Sequence, residues 1–379
     1  MTQPRDVPAT RYVIDNAMAE QKLGYLCELP GTWEGRGFNL IARPDFHDRA
    51  NLYLQLNQTH ETLTITPIGS AIPNRGFGQD DIELFGLSYL QKIHDHHTGS
   101  ALHLEPGLWI TQPGTTYPPE NPPANGQIIA RMATIPHGTA VLAQGNAICF
   151  TGAPTLQPPD LILKYHGSLF PSFNSTPFHA DQPVINADGS SEKQTPSRIP
   201  ARPFGQYDLR NSADAASLRT PSLPRQIGGV PMQEVVNDPI RLLQAVIEEQ
   251  AKDCTFEGFA LNIATQDTIA FRRHRDSPPA GSTVSIRVTG AGGGTENILF
   301  LEGGEQGPNA QAGLVYATFW LEKVMPESGG HFMQLQYAQM AVLNFPVYEL
   351  LHQKEPGGKG RPVLLGWPHV SVATLRKVF

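Results

Sequence analysis

One short phrase occurs twice in this chain, and each copy leads into Pro-His. The first runs Arg131-Met-Ala-Thr-Ile-Pro-His137-Gly-Thr-Ala140. The second starts Gln339-Met-Ala-Val-Leu-Asn-Phe, breaks for a proline- and glycine-rich stretch, and resumes Trp367-Pro-His369-Val-Ser-Val-Ala373-Thr-Leu375. Upstream, Gly31-Thr-Trp33-Glu-Gly35 is echoed by Cys254-Thr-Phe256-Glu-Gly258. Two matches in the same order predict a duplicated unit, with His137 and His369 at equivalent places.

The texture around these phrases predicts strands. Residues 51–57 and 61–66 alternate apolar and polar, as half-buried strands do. Residues 315–324 alternate in the same way, and so do residues 284–288. Gly 36 and Pro 34 supply many turns and argue against a helical bundle. The expected fold is mainly β: a pair of antiparallel barrels or sandwiches, with a few short helices. The expected layout is an N-terminal extension over 1–24, a first barrel over 25–150, a proline-rich connector over 151–237 and a second barrel over 238–379. Residues 238–251 read as a helix, with Asp238 as cap and Pro239 in the first turn. Residues 81–93 fit helix or strand equally.

A net charge of −7 and the absence of a basic run exclude nucleic acid as a partner. No stretch approaches the roughly 20 apolar residues that span a bilayer, so no membrane partner is expected. Three scattered cysteines, Cys27, Cys149 and Cys254, form neither a disulfide framework nor a metal motif. With no secretory pattern in residues 1–11, the expected compartment is the cytoplasm. No Gly-x-Ser-x-Gly and no catalytic cysteine context suggest a covalent nucleophile.

The paired phrases resemble those of the nitrobindins, compact haem-binding β-barrels related in shape to lipocalins. Gly31-Thr-Trp33-Glu-Gly35-x-Gly37 is similar to the nitrobindin opening. Met132-Ala-Thr-x-Pro-His137 and Pro368-His369-Val-Ser-Val-Ala-Thr-Leu-Arg376-Lys377 are similar to its closing strands, whose histidine is the proximal ligand of haem iron. The second unit departs by opening on Cys-Thr-Phe and by an insertion over 346–366. The resemblance implies two calycin-like barrels, haem b as cofactor, His137 and His369 as iron ligands, and Trp33 and Met132 as cofactor contacts. It implies an open iron position that handles nitric oxide, peroxynitrite or peroxide. The first unit, with its intact opening, is the expected haem site. The rival expectation is a haem-free barrel that binds or isomerises an apolar metabolite such as a fatty acid or terpenoid.

His103 and Glu105 lie two apart on a strand and share a face. They read either as acid and base over a cofactor or as a surface pair near a rim, with Pro106 ending the strand. His94, Asp95, His96 and His97 read as an exposed turn.

Overall fold

The computed structural model describes residues 21–45, 47–48, 50–74, 81–111, 127–135, 139–154, 156, 178–179, 184–185, 191–192, 207–210, 218, 220, 223–265, 294–297, 311–346 and 364–378. Ten long strands dominate them. In chain order these are β1 (Gly31–Asp45), β2 (Ala50–Pro67), β3 (Ile82–Asp95), β4 (Ala101–Thr111) and β5 (Gln127–Ile135). Next come β6 (Thr139–Thr151), β7 (Cys254–Ala264), β8 (Gln311–Pro326), β9 (Phe332–Pro346) and β10 (Leu364–Lys377). Each pairs antiparallel with the next, and β10 returns to pair with β1. The result is one closed barrel, which leaves no free sheet edge among these ten.

This corrects the expectation of two barrels. β6 of the first half pairs with β7 of the second, Leu261 opposite Ala147. β1 pairs with β10, Trp33 opposite Lys377 and Leu40 opposite Val370. Each half is an open sheet whose two edges are satisfied only by the other half. No second barrel is present among the described residues. The repeated phrases land on strands of this one barrel. Arg131 and Gln339 face inward and touch each other, Nη1 to Oε1 at 2.7 Å. The opening phrases diverge: Trp33 packs with the inner cluster and Phe256 with the outer one.

Alternation explains both clusters. Inward positions carry Trp33, Leu63, Ile65, Trp109, Leu261 and Leu375, joined from below by Leu23, Leu26 and Leu29. Outward positions on β1, β2 and β8–β10 carry Phe38, Leu54, Trp320, Met340 and Val372. These are buried because two helices, α1 (Met232–Asn237) and α2 (Arg241–Gln250), lay Val235, Val236, Leu243 and Ile247 against them. Asp238 accepts the Ile240 N–H at 3.2 Å just ahead of α2, close to its expected capping role. Tyr207, from the expected connector, is buried in the same outer cluster. Residues 81–93, ambiguous in sequence, lie in β3, and the predicted strand over 284–288 lies outside the described residues.

Closure needs close approach between β1 and β10. A Cβ added at Gly35 would sit 2.1 Å from the Thr374 carbonyl oxygen, and one at Gly37 2.3 Å from that of Val372. The glycines of the opening phrase are therefore a backbone requirement of the seam.

Because each half carries two unpaired edges, residues 1–200 and 201–379 expressed separately are expected to show no cooperative thermal transition by circular dichroism. Mixed together, they are expected to regain one. A cooperative melt of either half alone contradicts the single barrel.

Candidate functional site

A layer of polar side chains crosses the middle of the barrel. Glu105 and Arg131, both under 5% exposed, form its centre. The Arg131 Nη2 donates to Glu105 Oε1 in a short ion pair. Tyr89 donates its hydroxyl hydrogen to the same oxygen at 2.5 Å and accepts from Arg131 Nε at 2.8 Å. The other Glu105 oxygen meets His103 Nε2 at 3.0 Å. Beside this group, Tyr337 donates to Glu61 Oε2 at 2.6 Å and Thr59 donates to Glu61 Oε1 at 2.8 Å. Gln91 Nε2 bridges Glu61 and Tyr337 at 3.3 and 3.1 Å. The Arg131 guanidinium also lies 5.1 Å from the Phe319 ring centre. Gly107 makes room for the layer, since a Cβ there would meet the Tyr89 ring at 2.4 Å.

The two carboxyls are driven apart. Burial works to raise Glu105, but the Arg131 charge and the bonds from His103 and Tyr89 outweigh it and hold that carboxyl at about 2. At Glu61 burial prevails over the bonds from Tyr337, Thr59 and Gln91, and its pKa is raised. Two carboxyls whose surroundings push their pKa values in opposite directions thus share one layer, the pattern of environments that separates acid from base.

The layer divides the barrel. Below it the inward side chains are sealed and mainly apolar, the polar Gln127 donating to Thr111 Oγ1 at 2.6 Å and to the Leu23 carbonyl at 2.7 Å; Trp33 is fully buried, with its indole N–H on the Leu29 carbonyl at 2.8 Å. Above it inward positions are partly exposed: Asn39, Gln55, His103, Gln339, His369 and Ser371. His369 stands in this open half. Its Nε2 lies 3.1 Å from the Ala42 carbonyl oxygen, and the Phe345 ring lies 6.4 Å away at 28°. Burial pushes the imidazole down to about 4; the nearby Arg43 charge adds to this, while the Ala42 bond opposes it. His369 is neutral at physiological pH. The nitrogen facing the carbonyl then carries the proton, and the other offers a lone pair.

The expected site residues therefore scatter. His369 and His103 both face the open half. Trp33 pairs with Lys377, eight positions along β10 from His369 and on the order of 25 Å away. Trp33 is a plug at the opposite end, not a neighbour of the same ligand. Met132 points outward and is 40% exposed, since its neighbour Arg131 takes the inward position. His137 lies outside the described residues. His103 and Glu105 are not a surface pair: Glu105 is 1% exposed. Nor does Pro106 end the strand. β5 pairs with β4 only from Gly107 onward, so Pro106 sits where one side of β4 lacks a partner, a position that tolerates proline. Of the 94–97 cluster, His96 and His97 lie in an exposed turn, as expected, where Asp95 accepts from Thr98 N at 2.7 Å, whereas His94 and Asp95 are the half-buried end of β3, paired with His60 and Thr59 of β2. No group of three or more metal-ligating side chains occurs among the described residues.

Sequence reasoning missed Glu61, Tyr89, Gln91 and Tyr337. They share parity with Leu63, Leu87 and Leu335 on the same strands, which is the signal that marks an inward polar residue.

The chain matches no protein-family model. It matches no curated protein. The crystal structure of Rv2717c from M. tuberculosis is similar to it at 10% identity, with 95% of this chain and 98% of that one covered and a TM-score of 0.31. That likeness is too slight to bear on fold or function.

Removing one partner of a buried ion pair leaves the other uncompensated. Arg131→Ala is expected to cost about 3–5 kcal/mol in chemical denaturation at neutral pH, and Arg131→Met with Glu105→Gln to recover much of it. The depressed Glu105 contributes stability above the ordinary carboxylate pKa and loses it as pH falls toward about 2. The raised Glu61 acts oppositely. Its contribution is full below the ordinary value and is lost as pH rises through the folded one, so Glu61→Gln should flatten the decline above the ordinary carboxylate pKa. Urea titrations across pH check both limbs.

Proposed function

We propose that the chain is a b-type haem-binding barrel in which His369 holds the iron. The observation that carries this reading is an inward, neutral imidazole in the half of the barrel that solvent reaches. Its backbone-bonded nitrogen fixes the ring, as a second-shell acceptor fixes a metal-bound histidine. The residues present suit the group. Small or branched apolar side chains, Val141, Val315 and Ala317, line the same half, with Ala341 beside His369 on the neighbouring strand, and a flat macrocycle can rest against them. Haem, when bound, supplies an open iron position for nitric oxide, peroxynitrite or peroxide. The chain's own part is to fix the ligand ring, present an apolar wall and keep a proton-holding layer beneath. Within that layer His103 rests on the ionised Glu105, and Glu61 is the carboxyl whose pKa burial raises. The sealed lower half leaves no inward room for a long apolar chain, so a fatty acid or terpenoid would compete for this same open half.

Titration with haemin, followed by absorption, tests the assignment. His369→Ala is expected to lose the shifted Soret band while keeping its far-ultraviolet circular dichroism, and His137→Ala to keep the band. An unchanged band in His369→Ala overturns the ligand assignment.

A further inference from the structure

Among the described residues, the mouth of the open half carries a cation with no acidic partner. Arg43 continues the inward series of Asn39 and Ile41 on β1 and stands opposite Tyr53 on β2. Its guanidinium stacks on the Tyr53 ring at 3.9 Å from the centroid, which fixes the plane of the fork. One donor, Nη1, is used on the Pro44 carbonyl at 3.0 Å. A guanidinium has five N–H donors. Among the described residues none of the others meets a carboxylate; nearby Asp45 instead accepts from the Asp48 N–H at 3.3 Å. In a chain of net charge −7, this is positive charge placed at an inner mouth and left unneutralised.

The surroundings define what would meet it. His369 is held neutral and adds no competing charge. Asn39 stands two rungs deeper, with Nδ2 on Ser371 Oγ at 2.7 Å, and Asn57 opposite it has a buried Nδ2 without a partner. These groups form one side: a planar cation first, neutral amides and a hydroxyl behind it. The facing side is apolar at Val141 of β6 and at Val315 and Ala317 of β8. A ligand matching both must be amphipathic and anionic at one end.

We propose that the open half binds an amphipathic carboxylic acid, with its carboxylate on Arg43 and its body against Val141, Val315 and Ala317. Planar, bidentate recognition of carboxylate is what a guanidinium does best, and the stacked Tyr53 pre-orients it. The site shares its chamber with the haem reading but needs no iron. Propionate groups of a porphyrin and the head of a fatty acid both supply the chemistry.

Four probes separate these sources: haemin, haemin dimethyl ester, decanoate and methyl decanoate. Binding is followed by quenching of tryptophan fluorescence in wild type, Arg43→Gln and Arg43→Lys, each checked for native circular dichroism. Arg43→Gln is expected to weaken the acid form about tenfold and leave its ester unchanged, while Arg43→Lys, which keeps the charge but loses the planar fork, recovers only part of the affinity. Haemin bound with this dependence identifies the porphyrin as the source. Decanoate alone bound with it sinks the haem reading and leaves this one standing. Equal binding of acid and ester in wild type, no effect of Arg43→Gln, or no binding of any probe overturns the proposal. Should Arg43→Gln fail to fold, loss of acid affinity with added salt in wild type, absent for the ester, carries the same decision.

Discussion

A single buried guanidinium organises the interior of this barrel. Arg131 reaches Glu105 and Tyr89 on neighbouring strands and Gln339 on the far wall, so it ties β3, β4, β5 and β9 through one side chain. Burying that charge is costly unless it is paired and hydrogen-bonded, and here it is both. The aromatic faces of Phe319 and Trp109 complete its surroundings. The layer it centres converts an otherwise uniform tube into a sealed lower half and an open upper half. Everything functional proposed for the chain lies on the open side of that layer.

The barrel wall works on both faces. An ordinary antiparallel sheet buries one face and wets the other. Here β1, β2 and β8–β10 bury both, because α1, α2 and Tyr207 cover the outside. That wall bears His369, Asn39 and Asn57, so the residues proposed to hold a ligand stand on the most supported strands. Metal or ligand sites built on rigid elements hold geometry better than those on loops.

Strand content was legible in the sequence because period-two alternation is a local property. Topology was not. The repeated phrases are real, and Arg131 and Gln339 do occupy related inward places, but repetition says nothing of how edges close. The Gly31-x-Trp33-x-Gly35-x-Gly37 opening was read as a barrel start, and its glycines do lie at the closing seam. Trp33 was taken for a cofactor contact because sequence gives no distance along the barrel axis. Met132 failed for a simpler reason, since parity with the inward Arg131 places it outside. Sequence left Glu105 open between an interior acid or base and a surface position because a lone carboxylate seldom survives burial. Its compensating Arg131 is 26 residues away, and only the fold brings them together. His369 was legible as a candidate, whereas its partner Ala42 and the nearby Arg43, 327 and 326 positions earlier, were not.

The account rests on a barrel divided in two, with its ligand on the His369 side. Gallium protoporphyrin, a diamagnetic stand-in for haem, tests this directly when followed by nitrogen NMR on protein labelled at histidine and tryptophan. Of the 13 histidines, His369 is predicted to show the coordination shift, while the Trp33 indole resonance stays where it was. A coordination shift on another histidine, or a displaced Trp33 signal with His369 unmoved, would contradict the division on which the account depends.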